Sequence, residues 1–376
     1  MITLRILATS LWIAFGWDAF ATAAATESAP HSEAPESPAA CSQVNYAQAE
    51  VPPGVDPASV SPNPDGPTLV GMAFFVTELR EIDAVRDDFA FRGYVRSTWC
   101  DPNRAFDPAV ARTNRRVSFG KAAEREMASG WSPSGFPVNR IGHMEITDRD
   151  LSVSPNGTVE SNLNITLRVA ADFDLRRFPF DRQRLEVVVE SFLWPEDALV
   201  IVAEPNATGF AKDFSIPEWH IDRVSTRIES SNALRSVKSF SRIVLEIDVV
   251  REWGFYVWKI MLPLVVIVAL SWSIFWMSDE RVAGRSRITA TGVLTIVAYQ
   301  FVVGEDLPRI AYLTLLDKVM ILSFMLLAVT VVESLVVSRY QDDDMARAVR
   351  IDRISRLVFP GVYLVLMVLL LATSGR

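Results

Sequence analysis

Residues 288–303 form a mainly apolar run that carries Thr289, Thr291, Thr295, Tyr299 and Gln300. Read as a helix, Arg287, Thr291, Leu294, Ala298, Phe301 and Glu305 follow at steps of four, three, four, three and four. That spacing keeps all six on one face. In a symmetric ring of such helices each position becomes a layer around an aqueous axis. Arg287 makes a basic inner layer, Thr291 a hydroxyl layer and Glu305 an acidic outer layer. Leu294 and Phe301 make apolar constrictions, which close by excluding water. Taken alone, the stripe fits the mixed face of a buried helix better. Other chemistries lack a pattern. His31 lies in a Pro/Ser-rich stretch, and His143 and His220 have no Cys or His at metal-ligand spacing. There is no metal motif, no Gly-rich phosphate loop and no nucleophile elbow, so neither an enzyme nor a cofactor is expected. A net charge of −8 gives no reason to expect nucleic acid as a partner.

A helix this polar faces lipid poorly, so neighbours must surround it. Residues 255–277, 319–337 and 357–373 supply them, each long enough to cross ~30 Å of hydrocarbon. Lys259 lies near the outer end of the first, where it snorkels. Pro263 kinks that segment or has its freed carbonyl satisfied by a neighbour. Glu333 lies near the inner end of 319–337, with no His or Cys nearby to make it catalytic. The connection before the last segment holds Arg339, Arg347, Arg350, Arg353 and Arg356 and reads as cytoplasmic. The connection 304–311 holds Glu305 and Asp306 and reads as external. The mean hydropathy of +0.21 with 22% charged residues also requires that charge be segregated from these segments.

Ahead of them lies a polar half with period-two alternation. Leu163, Ile165, Leu167 and Val169 alternate with Asn164, Thr166 and Arg168. The same pattern recurs at 185–190 and 243–250, and 69–79 and 89–99 read as further strands. Pro155-Asn156-Gly157 is a hairpin signal, and 121–129 reads as a short helix ending before Gly130. Many short strands with turn signals argue for a sandwich. At the N-terminus, residues 1–25 read as a secretory signal, with Arg5, a short apolar run over 6–15 and small-residue cleavage options at 19–23. Residues 26–67, rich in Ala, Ser, Pro and Glu, are expected to form a disordered periplasmic arm. Cys41 in that stretch and Cys100 in the sandwich can pair in an oxidising compartment, but one pair without a framework leaves the question open.

The run 171–185 joins two of the strands and contains Phe178-Pro179-Phe180-Asp181-Arg182-Gln183. Phe-Pro-Phe-Asp-x-Gln resembles the signature loop of pentameric ligand-gated ion channels, the Cys-loop receptor superfamily. Animal members carry cysteines at the positions of Ala171 and Leu185; bacterial members lack that disulfide, as this chain does. Residues 288–301 followed by Asp306-Leu307-Pro308-Arg309 resemble the family's second membrane helix and the loop after it. Arg251 resembles the arginine before the first span, and Trp272–Trp276 resembles the end of that span. Trp99 with Asp101 resembles a Trp-x-Asp strand, and Trp131-Ser132-Pro133 an agonist loop. The likeness runs from about residue 68 to 373.

The resemblance implies an all-β immunoglobulin-like sandwich over 68–252, outside the membrane, followed by an all-α four-helix transmembrane domain over 253–376. It implies a homopentamer in the bacterial inner membrane, with the sandwich in the periplasm and the link between the third and fourth spans in the cytoplasm. A small-molecule agonist of unknown identity, or protons, would open the pore to inorganic ions. Phe180, Asp181, Arg251 and Pro308 would couple binding to opening. Glu190, Phe192, Trp194, Phe240 and Trp131 would form the agonist site between subunits, where aromatics beside a carboxylate suit a cationic amine. Against an amine, the hairpin 225–241 offers Phe240 with Arg235 and Lys238, which favour an anion. The inner mouth, Ala283-Gly284-Arg285-Ser286-Arg287, lacks a carboxylate and leans toward anion or weakly selective conduction. The alternatives are a cation-selective channel of the same family and a non-conducting, membrane-bound ligand sensor.

Overall fold

Alternating apolar residues become strands where one face can be buried, and the polar half does this throughout. The computed structural model describes residues 36–47, 53–212, 216–231, 238–277, 282–304 and 310–374. In it the strands are β1 (Thr68–Asp83), β2 (Asp88–Cys100), β3 (Arg116–Phe119), β4 (Gly135–Pro137), β5 (Arg140–Val153) and β6 (Thr158–Ala170). They continue as β7 (Arg182–Ser191), β8 (Leu199–Ala203), β9 (Gly209–Phe210), β10 (Trp219–Ser231) and β11 (Phe240–Arg251). One sheet runs β3-β5-β6-β2-β1-β8, with β9 also against β1; the other runs β10-β11-β7-β4. Between them lie Phe74, Phe89, Phe91, Trp99, Leu151, Leu185 and Ile243, all fully buried. Each such side chain is worth about 1.5–3 kcal/mol of burial. The short helix expected at 121–129 is present as Gly120–Ala128.

Gly157 closes the β5–β6 hairpin at φ +90°, a conformation that L side chains rarely adopt. A Cβ there would also meet the Asp101 carbonyl oxygen at 2.5 Å. Gly157→Ala is therefore expected to cost about 1–3 kcal/mol. Thermal unfolding of the full chain in detergent reads this as a lowered sandwich transition; an unchanged transition would contradict the assignment.

The expectation of a disordered arm does not hold for residues 36–47, nor for 53–67, which carry a short turn of 3-10 helix at Pro57–Ser59. Cys41 and Cys100 form a disulfide. The Cys41 amide donates to Thr158 Oγ1 at 2.9 Å, the Leu69 amide donates to Tyr46 Oη at 3.0 Å, and Ser37 Oγ donates to Glu204. Ala39 and Ala40 are buried. Composition argues from apolar burial; here a covalent link and polar contacts hold the segment instead. A bond closing 59 residues stabilises by about 4 kcal/mol in the chain-entropy picture. The double variant Cys41→Ser, Cys100→Ser should melt lower and be cut by protease within 36–47; wild-type resistance would show that the polar contacts suffice.

The apolar half follows as helices α1 (Gly254–Trp276), α2 (Val282–Gly304), α3 (Leu315–Asp343) and α4 (Met345–Ser374). Among the described residues, three helices are long and apolar enough to cross a membrane: α1, α3 and α4. α2 has only a shorter apolar stretch, Ala290–Phe301, as its threonines and Gln300 lead one to expect. The helices share a second core that includes Leu264, Val268, Phe275, Ile296, Leu316 and Val319. α2 approaches α1 closely at Gly292, where a Cβ would collide with Ser271 Oγ. Leu175 and Phe178 of the signature loop enter this core, so the sandwich is seated directly on the helices.

Candidate gating and pore sites

β11 runs beside β7 with Val250 opposite Arg182, so Arg251 arrives next to Asp181 just before the chain enters α1. Arg251 Nε and an Nη donate to the two Asp181 carboxylate oxygens at 2.8 and 3.2 Å. The side chains are 5% and 1% exposed. Removing two charges from water is costly, and the surroundings show how the cost is offset. Gln183 Nε2 donates to Asp181 at 2.7 Å and to the Asp174 carbonyl at 2.8 Å. The guanidinium lies 4.1 Å from the Trp219 ring centre, 4.8 Å from Phe178 and 5.8 Å from Tyr256. Glu218 lies 3.7 Å from an Arg251 nitrogen and accepts from Tyr256 Oη at 3.0 Å.

The loop is also bonded to the start of α3. The Leu175 amide donates to Tyr312 Oη at 3.0 Å, and Tyr312 Oη donates to the Phe173 carbonyl at 3.3 Å. The Leu315 and Leu316 amides donate to the Arg176 and Phe178 carbonyls at 3.1 and 3.3 Å. These amides sit in the first turn of α3, where intrahelical acceptors are missing, so the loop helps to cap it. Phe180 is partly exposed with its ring 6.0 Å from Trp253. Pro308, expected as the receiving surface, lies outside the described residues.

On α2, Thr291, Leu294, Ala298 and Phe301 are all exposed, Leu294 by 70% and Phe301 by 75%. Gly292 and Ile296, on the other side, are buried against α1 and α3. Tyr299 Oη donates to the Ile260 carbonyl at 2.8 Å. The Ile260 carbonyl belongs to a π-helical turn just before Pro263, where regular bonding is interrupted. The expected stripe is thus the face that the chain's own helices leave uncovered. Arg287 belongs to the same helix, and Glu305 lies outside the described residues.

The expected agonist residues are not gathered into an open box within one chain. Trp131 is 1% exposed, wedged between Trp99 at 6.2 Å and Trp194 at 5.7 Å between ring centres. Trp194 donates from Nε1 to the Ser132 carbonyl at 3.2 Å. Phe240 is buried. Glu190, also buried, accepts from Arg242 Nε and an Nη at 3.1 and 2.7 Å across the β7–β11 register. Trp131 and Phe240 therefore belong to the interior rather than to an open wall, because burying a large aromatic outweighs exposing it. Glu190 has its charge balanced by Arg242, which removes the free carboxylate that an amine would seek. Phe192 alone of the five is well exposed, with the Phe136 ring edge-on at 6.2 Å.

Residues 56–253 match the family model of the neurotransmitter-gated ion-channel ligand binding domain. The chain belongs to the Cys-loop superfamily of pentameric ligand-gated ion channels. It is 28% identical over 316 residues to a proton-gated ion channel of Gloeobacter violaceus, covering 83% of this chain and 85% of that one. It is 26% identical over 260 residues to the gamma-aminobutyric acid receptor subunit beta-4 of Gallus gallus, covering 67% and 51%. Over 261 residues it is 25% identical to the pH-sensitive chloride channel 2 of Anopheles gambiae, covering 66% and 42%. The chain thus spans about half or less of the length of these animal relatives. It is a membrane protein and a ligand-gated ion channel, not an enzyme.

Within this channel subunit, the residues that join the two halves extend beyond the four expected. Glu218, Trp219, Tyr256 and Tyr312 surround or receive the Asp181–Arg251 pair and its loop. Trp219 and Tyr256 stand close in sequence to the two ends of the β10–β11 hairpin, a signal that sequence reading passes over. Tyr312 is a lone hydroxyl-bearing ring in the connection between two helices, and only the loop packed on it reveals its role.

Proposed function

We propose that five copies of this chain close around an axis lined by α2, and that agonist binding between neighbouring sandwiches opens that axis to ions. The observation that carries this reading is the uncovered face of α2. Thr291, Leu294, Ala298 and Phe301 point away from the chain's own helices, and a polar-mixed face in a bilayer needs an aqueous axis or further helices. Five-fold closure supplies both. The sandwich lies in the periplasm of a bacterial inner membrane, after removal of a signal over 1–25, and the arginine-rich link before α4 lies in the cytoplasm. Arg251 and Asp181 pass strand motion to α1, and the signature loop passes it to α3 through Tyr312 and Leu315. Mass measurement in mild detergent tests the assembly: a pentamer is expected, and only monomers or dimers would overturn it.

Conduction is anionic or weakly selective on this reading, because Arg285 and Arg287 stand at the inner end of α2 with no carboxylate between residues 281 and 304. Reversal potentials in a NaCl gradient decide it, for wild type and Arg287→Gln. A wild-type value near the sodium potential, unmoved by the substitution, would show that Arg287 does not line the path. Protons are the second candidate agonist. The Gloeobacter relative is proton-gated by name, and the pairing of Glu190 with Arg242 speaks against a cationic amine. Opening on acidification without added ligand supports protons; opening only with a small molecule at constant pH excludes them.

A further inference from the structure

The two sheets of the sandwich do not fill the space between them. A cavity of about 80 Å³ remains, walled by Val70, Met72, Trp99, Ser161, Val189 and Gly135 among others. Its walls are mostly apolar and include three methionines, Met72, Met127 and Met144, whose unbranched side chains reshape around an occupant. The volume is roughly two to three water molecules' share of the liquid, but water needs two to four polar partners and this lining offers few. Apolar cavities of this kind stay dry and take up small apolar guests. Two polar groups of the wall, Trp99 Nε1 and Ser161 Oγ, are buried with no hydrogen-bond partner among the described residues, which is costly. Among the lining residues Gly135 is exposed, and Pro133 and Met144 are half-buried.

We propose that this cavity is a binding site, within a single sandwich, for a small uncharged molecule that is mainly apolar and carries at most one acceptor oxygen. Its guest would press on the segments that carry Trp131 and Phe192 from the inside. Pro133 and Gly135 follow Trp131, and Ser191 precedes Phe192. An effect on opening therefore rests on the reading of those segments as the agonist face; binding itself does not.

The test uses the full chain in detergent with two probes. Diffraction under xenon pressure should show a peak between the sheets of the wild type. Ser161→Leu should abolish it, because the new side chain occupies the space while removing a hydroxyl that has no partner among the described residues. Val95→Leu, at another wall position, serves as the second filler should the first fail to fold. No xenon peak in the wild type, or a peak unchanged in a folded filler variant, overturns the site. The second probe, 1-propanol, should shift the activation midpoint of the wild type but not of the filler variant. A xenon peak without that shift upholds the cavity and counts against the agonist-face reading alone.

Discussion

Arg251→Ala should abolish gating, or assembly with it. The guanidinium is 5% exposed and holds both oxygens of a carboxylate that is 1% exposed. Deleting it strands the Asp181 charge in a dry site, a loss of about 3–5 kcal/mol for a buried pair broken on one side. It also empties the space between the Trp219, Phe178 and Tyr256 rings, which Arg251 fills as a cation. Arg251→Lys should recover little, because an ammonium cannot make the two parallel bonds that the fork makes. Asp181→Ala should fail in the same way, while Asp181→Asn keeps the shape and loses the charge. Agonist-evoked or acid-evoked current, measured beside surface expression and assembled mass, separates loss of gating from loss of folding. Normal gating in Asp181→Ala would refute the role of the pair.

Leu294→Ser should move the channel in the opposite direction. Leu294 is 70% exposed in the single chain, on the face expected to meet its four symmetry mates. In the proposed pentamer, five leucines on one layer would exclude water and close the path. A hydroxyl in each place hydrates it, and the apolar burial that the closed state gives up is worth on the order of 1 kcal/mol per subunit. Since about 1.4 kcal/mol is tenfold in an equilibrium constant, spontaneous current or at least a roughly tenfold gain in agonist sensitivity is expected. Unchanged or weakened activation in an assembled variant would place the gate elsewhere.

Local periodicity made much of this legible. The stripe on α2 needs only the helical repeat, and its four described apolar or hydroxyl positions all fall on the uncovered face. The strand over 69–79 is the inner part of β1, and the apolar segments expected at 319–337 and 357–373 lie within α3 and α4. Arg251 and Asp181 were legible through the signature loop and the residue before the first span. What could not be read depends on contacts between distant residues. Glu190 meets Arg242 across 52 positions, and Leu175 meets Tyr312 across 137. Trp131 is enclosed because Trp99 and Trp194 reach it from other parts of the chain. Residues 36–47 are ordered because Cys41 finds Cys100, a pairing that composition alone does not report. In each case the deciding term is a partner brought by the fold, not a property of the local segment.

In the proposed arrangement one face of α2 lines an aqueous path, and thiol accessibility tests this directly. The chain has two cysteines, and they are joined to each other, so a cysteine introduced on α2 is the single free thiol. A charged, water-soluble thiol reagent should change the current through Thr291→Cys, Leu294→Cys, Ala298→Cys and Phe301→Cys channels. It should leave Ile296→Cys channels unaffected, since that position is buried in the core that the helices share. Modification confined to position 296, or silence at all four positions of the stripe in channels that conduct, would overturn the pore-lining role of α2.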